Sequence, residues 1–244
     1  MTTLKVATYN IHKGFSQFNR RMVLHELREQ LRELDADIVF LQEVQGEHLH
    51  HVFRHAEYPA TPQHEFLADE FWAHHAYGMN AVYEAGHHGN AILSRFPIVQ
   101  TRNKDVSAHR FEQRGLLHCE IDLYGQSVHC FCTHFGFFAK GRRAQMQTLI
   151  SHVQAEVSAD APLVIAGDFN DWRNHLSLEL ASALDVRDVF HLAHGKPARS
   201  FPAAFPMLKL DRIYVRGFDA AECKVHGTRR MSDHAALSAQ LSRS

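Results

Sequence analysis

The sequence predicts a mixed α/β fold, and three observations carry that expectation. Nine short segments alternate apolar and polar residues or run wholly apolar, two longer stretches carry apolar residues at helical spacing, and neighbouring strand segments near the middle are close enough to pair as hairpins. Strands that return as hairpins cannot all be parallel, so a doubly wound parallel sheet fits poorly. In chain order, residues 4–11 alternate and open the first strand, and Leu24, Leu27, Leu31 and Leu34 form one stripe on a helix over 20–34. Residues 37–42 form a short apolar strand, followed by strands at 76–83, 90–95, 115–122 and 127–133. A second helix spans 142–157, where Met146, Leu149, Ile150, Val153 and Val157 fall on one face. Strands at 163–166, 210–215 and 235–241 complete the pattern.

The chain has 244 residues, of which 45% are hydrophobic and 22% charged, a balance that supplies a sizeable core and excludes a disordered chain or a small disulfide scaffold. One domain over 1–244 is expected, because no internal repeat, low-complexity tract or Gly/Ser linker divides it. The N-terminus shows no basic patch leading into a long apolar stretch, and no apolar run has the length of a transmembrane segment, so a cytoplasmic location is expected. The four cysteines, Cys119, Cys130, Cys132 and Cys223, lack zinc-ligand spacing and are expected to be reduced packing thiols. Lys plus Arg total 26 against 27 for Asp plus Glu, so the molecule as a whole is no basic glove for nucleic acid. A local positive field or a bound divalent cation is compatible with that balance.

Chemistry concentrates where apolar strands run into acidic, amide or imidazole residues: VATYN at 6–10, IVFLQEV at 38–44 and LVIAGDFN at 163–170, followed by Asp211 and the Asp233–His234 pair. Carboxylate and amide oxygens are hard ligands suited to Mg²⁺ or Mn²⁺, and Glu43 is the leading candidate ligand. Taken singly, an Asp or Asn after a strand is more often a turn former or helix cap.

Seven motifs in order change that weighting: TYN at 8–10, LQEV at 41–44, GNAILSRFPI at 89–98, THFG at 133–136, GDFND at 167–171, LDRIYV at 210–215 and SDHAAL at 232–237. Together they make the chain resemble the endonuclease/exonuclease/phosphatase superfamily, which includes pancreatic deoxyribonuclease I, exonuclease III, bacterial sphingomyelinases and inositol-polyphosphate 5-phosphatases. NIHKGF, YGMNAVY, GHHGNAILSR and LDRIYV are most similar to a small bacterial branch of it. The resemblance implies a four-layer α/β/β/α sandwich of two mixed sheets, deoxyribonuclease I-like, with the site among loops at one edge. It also implies a Mg²⁺- or Mn²⁺-dependent attack of water on phosphorus. Matched by position, Glu43 would be the principal metal ligand, with Asn10 beside it contributing directly or through water, and Asp233 would bind metal or fix the imidazole. Asp168 would orient or deprotonate the water, and Asn170 would hold the water or a phosphate oxygen. Asp211 would work beside His234, which would contact the phosphate, and His134 would lie near the leaving group.

Asn90 is either a phosphate contact or a turn residue, and Arg142 and Gln145, at i, i+3, point toward the cleft or into solvent. Nine of the 21 histidines lie between His48 and His88, but no Cys/His ligand spacing supports structural zinc there. Phe135, Phe137, Phe138 and Trp172 flank the motifs and either stack bases, meet acyl chains or pack. The leading reading is a metal-dependent phosphoesterase acting on a phosphate-ester substrate, foremost DNA as a nuclease. Phospholipid head groups or a soluble phosphate ester are alternatives. His134 stands where abasic-site endonucleases of the superfamily carry tyrosine, which argues against dedicated abasic-site repair. A non-catalytic binding scaffold is disfavoured by the intact Glu43, Asp168, Asn170, Asp211 and His234 set.

Overall fold

The computed structural model describes residues 3–17, 20–48, 57–109, 112–228 and 231–243. Twelve strands form two six-stranded sheets. The first contains β1 (Thr3–Asn10), β2 (Ile38–His48), β3 (His74–Tyr83), β4 (Gly86–Ser94), β11 (Phe218–His226) and β12 (Ala236–Arg243), in the order β11-β12-β1-β2-β4-β3. The second contains β5 (Ile98–Asp105), β6 (Gly115–Asp122), β7 (Ser127–His134), β8 (Leu163–Asp168), β9 (Arg187–Asp188) and β10 (Asp211–Arg216), in the order β5-β6-β7-β8-β10-β9. Both sheets are mixed. In each, one central pair is parallel, β1 with β2 and β7 with β8, and the remaining pairs are antiparallel.

Alternation along the strands divides the apolar residues into three buried layers. Leu4, Val6, Ile38, Phe40 and Ile92 of the first sheet meet Leu117, Cys119, Cys130, Cys132 and Ile213 of the second between the sheets. The outer face of the first sheet is covered by α1 (Leu24–Leu34) and α2 (Gln63–Ala68), through Leu24, Leu27, Leu31, Leu34 and Leu67. The outer face of the second lies under α3 (Ala139–Glu156) and α4 (Ser177–Leu184), through Met146, Leu149, Val153 and Leu180. A fifth helix, α5 (Val189–His194), starts at Asp188, whose Oδ1 accepts from the Phe190 and His191 amides at 2.9 and 3.1 Å. The result is the four-layer α/β/β/α sandwich.

The first predicted helix is shorter than its stripe suggests. Met22 bridges back to Phe15 and the Ser16 amide donates to the Arg21 carbonyl, so the helix begins only at Leu24. The second extends to Ala139–Glu156. The strand expected to end at Gln42 continues to His48 through an irregularity, since β2 pairs with β4 at Leu41↔Ala91 and resumes at Val44↔Gly89. Strands β5, β9 and β11 and helices α2, α4 and α5 carry no element in the sequence reading. All four cysteines are free and buried, and burial pushes the thiols up, to about 12 for Cys119 and Cys132. No helix among the described residues is long and apolar enough to cross a membrane.

Candidate active site

Register brings the motif residues to one edge of the sandwich. In the parallel pairs Asn10 lies beside Gln42 and His134 beside Asp168, and in the antiparallel β8–β10 pair Asp168 faces Asp211. His234 enters from the loop before β12, which is pinned where the Ser232 hydroxyl donates to the Asn10 carbonyl at 2.6 Å. Glu43 owes its direction to the irregularity in β2: the strand places both Gln42 and Glu43 opposite Asn90, and Glu43 takes φ 55°. A bulge re-aims a side chain that regular alternation would send elsewhere, and a non-glycine residue at positive φ is a strained conformation that recurs at functional sites.

Asn10 Nδ2 lies 3.4 Å from Glu43 Oε1 and 3.1 Å from Asp168 Oδ2, joining the two carboxylates, while Asn10 Oδ1 accepts the His12 amide at 3.1 Å. His234 Nδ1 is 2.8 Å from Asp211 Oδ2 and its Nε2 is 3.7 Å from Asp168 Oδ2. His134 Nε2 lies 3.5 Å from the same Asp168 oxygen. Asp168, Asp211 and His234 are the one group of three acidic, histidine or cysteine residues among the described residues whose ligating atoms all lie within 4.8 Å of one another.

The two histidines experience opposite fields. For His234 burial opposes the charged form, but Asp211 and Asp168 outweigh it and lift the imidazole to about 10, so it is a cation at neutral pH. His134 is pushed well below the usual range by burial, reinforced by Arg114 and His234, and stays neutral. Burial and the neighbouring Asp211 raise Asp168 to about 6, with His234 and the donors from Asn170 and Asn10 pulling the other way. Burial opposes the Glu43 charge, yet Lys13, His12, His234 and His88 hold the carboxyl below its ordinary value. Lys13 Nζ is 3.8 Å from Glu43 Oε2.

The donor set fits a hard divalent cation. Glu43 is held ionised, and Asp211 Oδ1 is a buried carboxylate oxygen with no hydrogen-bond partner, the kind of uncompensated acceptor that a cation satisfies. Asp233 Oδ1 lies 3.4 Å from His12 Nδ1, and its charge adds to those raising His234.

Other expected site residues have different surroundings. Asn170 does not extend the strand toward the cleft as its i, i+2 spacing suggested. It turns at φ 49°, its amide donates to Asp168 Oδ1 at 2.9 Å, and its Nδ2 donates to the Phe135 carbonyl at 2.9 Å. Asn90 is in strand rather than a turn, and its Nδ2 donates across the core to the Gly115 and Cys132 carbonyls at 3.0 and 3.3 Å, tying the sheets together. Arg142 and Gln145 are buried rather than solvated. Arg142 donates to the Gly136 and Phe137 carbonyls and Gln145 Oε1 accepts the Gly136 amide at 2.8 Å, so both brace the loop after His134. Arg142 Cζ also lies 4.8 Å from the Trp172 ring centroid. Phe135 is core, whereas Phe137, Phe138 and Trp172 are exposed.

In the histidine-rich segment, His50, His51 and His55 lie outside the described residues. His64 stacks on Tyr77 at 4.8 Å and His87 Nδ1 meets the Tyr77 hydroxyl at 3.0 Å, and the described histidines there form no ligand group of three. Sequence reading missed Lys13, Arg114 and Ser200. Ser200, in a loop with no periodicity, donates its hydroxyl to Asp211 Oδ2 and accepts the Asp211 amide at 3.2 Å. Only the basic residues in NIHKGF and EQRGL offered a signal, and neither lies on a patterned element.

The model of the Endonuclease/Exonuclease/phosphatase family matches residues 7–234. "Uncharacterized protein YbhP" of Escherichia coli (strain K12) is 46% identical over 244 residues, covering 98% of this chain and 96% of its own length. The crystal structure of an endonuclease/exonuclease/phosphatase from Beutenbergia cavernae superposes with a TM-score of 0.78 at 20% identity, over 99% of this chain and 72% of that one. D. rerio TDP2 complexed with single strand DNA product gives a TM-score of 0.73 at 17% identity, covering 99% of this chain and 100% of that one. The Bacteroides thetaiotaomicron mannosyl-6-phosphatase Bt3783 also gives 0.73 at 17% identity, over 98% and 99%.

Proposed function

Because the chain belongs to the Endonuclease/Exonuclease/phosphatase family, we propose that it is a Mg²⁺- or Mn²⁺-dependent phosphodiesterase that cleaves nucleic acid by attack of water on phosphorus. The observation that carries this reading is the convergence of Asn10, Glu43, His134, Asp168, Asp211 and His234 on one edge of the sandwich, with a cationic and a neutral imidazole flanking the same carboxylate. Glu43 would hold the ion, with Asn10, Asp233 and the unpartnered Asp211 Oδ1 as nearby oxygens. When bound, such an ion neutralises phosphate charge and polarises the ester toward attack.

The chain's own groups supply the remainder. Asp168, raised toward neutrality, accepts a proton from the attacking water, a contribution worth about 10²–10⁴-fold for a well-placed base. Asn170 and Asn10 each donate to Asp168, fixing which carboxylate lone pair faces the water. His234 is a preformed cation whose Nδ1 proton is held by Asp211, which leaves its Nε2 proton for an oxygen of the phosphate as charge develops. Ser200 fixes Asp211, and neutral His134 donates a hydrogen bond near the departing oxygen without carrying a second positive charge.

The test is hydrolysis of bis(p-nitrophenyl) phosphate, a fluorescent DNA oligonucleotide, phosphatidylglycerol vesicles and p-nitrophenyl phosphate, each with Mg²⁺, Mn²⁺ or chelator. Metal-dependent cleavage of the diester and the oligonucleotide is expected, falling about 100-fold or more in Asp168→Asn. Turnover confined to the vesicles or the monoester, or unchanged by chelator, contradicts the reading.

A further inference from the structure

A concave pocket of about 560 Å³ lies directly outside the catalytic edge, between the loop that follows His134 and the loop that follows Asn170. Its volume is within the roughly 300–1,000 Å³ of small-ligand sites. Two features set it apart from ordinary surface. Phe137, Phe138 and Trp172 line it together while 61%, 72% and 39% exposed, three aromatic rings at one concavity. Arg142, Arg143 and Arg173 share the lining, and the acidic groups there are fewer: Asp171 is buried with Oδ2 accepting the Leu176 amide at 2.8 Å, and Glu179 is 4.0 Å from Arg143.

The aromatic rings are held in place. Arg142 donates to the Gly136 and Phe137 carbonyls and rests its guanidinium against the Trp172 ring, and Gln145 fixes the Gly136 amide, so the loop bearing Phe137 is anchored on α3. The Asn170–Phe135 hydrogen bond ties this loop to the one bearing Trp172. The pocket and the catalytic carboxylate thus share one rigid support: Trp172 is two residues past Asn170, and Phe137 three past His134.

We propose that this pocket is a stacking subsite for unpaired nucleobases next to the scissile phosphate, making single-stranded nucleic acid the preferred substrate class. The proposal rests on the nucleic-acid phosphodiesterase reading above. Bases expose a π-face to aromatic rings only when they are out of a duplex, and arginines track the accompanying phosphates, which is how strands are bound without regard to sequence. A lipid surface would match aromatic residues raised on a convex tip; here they line a concavity beside the exposed Arg143 and Arg173, with Arg142 bracing the loop.

Tryptophan fluorescence tests this without turnover. Trp72 is fully buried, so Trp172 is the tryptophan a ligand in this pocket can reach. The full chain in chelator is titrated with decathymidylate, with a GC-rich hairpin duplex that stays paired at the assay temperature, and with phosphatidylglycerol vesicles. Saturable quenching by the single strand is expected, with the duplex binding about 10-fold more weakly, the response lost in Trp172→Phe, and the dissociation constant raised about 10-fold in the Phe137→Ala/Phe138→Ala double variant. Equal affinity for duplex, a response to vesicles alone, an unchanged constant in the double variant, or no quenching at all overturns the subsite. Metal-dependent hydrolysis of bis(p-nitrophenyl) phosphate by the unmodified chain reports the chemistry separately. Quenching without that hydrolysis refutes the phosphodiesterase reading and leaves the subsite standing; hydrolysis without quenching does the reverse.

Discussion

Replacing His118 with phenylalanine should change how the protein's stability responds to acid. The imidazole is buried under α3, stacked on Phe131 with centroids 4.1 Å apart, edge-on to His152 at 5.6 Å, and its Nε2 is 3.1 Å from His129 Nδ1 while Nδ1 has no partner. Burial first, then His129, His152 and Arg102, push it down to about 3. An unfolded histidine titrates near about 6.5, so below that pH the unfolded chain binds a proton that the folded chain refuses. The stability from a neutral His118 is therefore present above pH 6.5 and is lost as pH falls from 6.5 toward 3. The slope has a ceiling of about 1.4 kcal/mol per pH unit, and partial solvent screening reduces the loss between pH 6.5 and 4.5 to about 1–2 kcal/mol. Phenylalanine keeps the stack on Phe131, removes the unpartnered nitrogen and leaves half-buried His129 able to reach water, so at pH 7.5 the variant should lie within about 1 kcal/mol of the unmodified chain. Urea unfolding at pH 7.5 and 4.5 measures both quantities. The unmodified protein should lose about 1–2 kcal/mol more than the variant across that interval; equal losses would refute the assignment of acid sensitivity to this ring.

Arg212 is fully buried, with Nε 3.4 Å from Asp188 Oδ2 and a donor on the Asp211 carbonyl at 3.0 Å, so Arg212→Met strands a buried carboxylate and should cost about 3–5 kcal/mol in urea unfolding. Gly167 adopts φ 149° immediately before Asp168, and a Cβ there would lie 1.9 Å from the Thr133 carbonyl; Gly167→Ala should lower the melting temperature and abolish diester hydrolysis together, and full retention of either would contradict the packing. Ser200→Ala releases Asp211 Oδ2 from its hydroxyl donor and should reduce kcat about 10–100-fold with little change in KM, while Ser200→Thr should restore part of the loss. Glu43→Gln should weaken Mn²⁺ binding in calorimetry and activity in parallel, whereas Asp168→Asn should bind Mn²⁺ nearly as well and lose turnover; matching Mn²⁺ affinities in Glu43→Gln and the unmodified chain would remove Glu43 from the ligand set.

What could be read from the sequence follows from how strongly each element is patterned. The central strands are apolar on a face that meets another layer, so their alternation or apolar run is strong, and α1 and α3 are long enough for a stripe to repeat. Strand β5 reads IVQTRNKD and is exposed along nearly its whole length, being held at a sheet edge by backbone pairing with β6, so no alternation marks it. Strand β11 is also an edge, with a register shift between Ala221 and Lys224 that breaks its period. Helices α2 and α5 have six residues each, fewer than two turns, too few to show a helical repeat. For the site, strand-end residues such as Asn10 and Asp168 were legible because a polar residue closing an apolar run is conspicuous. Asn90 read as a turn residue, and Arg142 and Gln145 as solvated, because their partners are backbone groups that no apolar pattern encodes: the Gly115 and Cys132 carbonyls for Asn90, and the carbonyls and amide of the loop at 136–137 for Arg142 and Gln145.

The same logic explains why identical residue types at the site differ in charge. His134 and His234 both lie within 4 Å of Asp168 Oδ2 and both are buried, so neither desolvation nor that carboxylate distinguishes them. Asp211 does: its Oδ2 is 2.8 Å from His234, and among the described residues no second carboxylate pairs with His134, which instead feels Arg114. Ser200 in turn holds Asp211 in that position. The Asp211 carboxylate, held by one hydroxyl in an unpatterned loop, therefore selects which imidazole is cationic. Removing the Asp211 charge in Asp211→Asn should lower the His234 pKa and make His234 Nδ1 titrate within the neutral range. ¹⁵N NMR of the two imidazoles follows this directly, and a His234 ring that stays cationic to pH 9 in Asp211→Asn would show that Asp168 alone is sufficient to hold the charge.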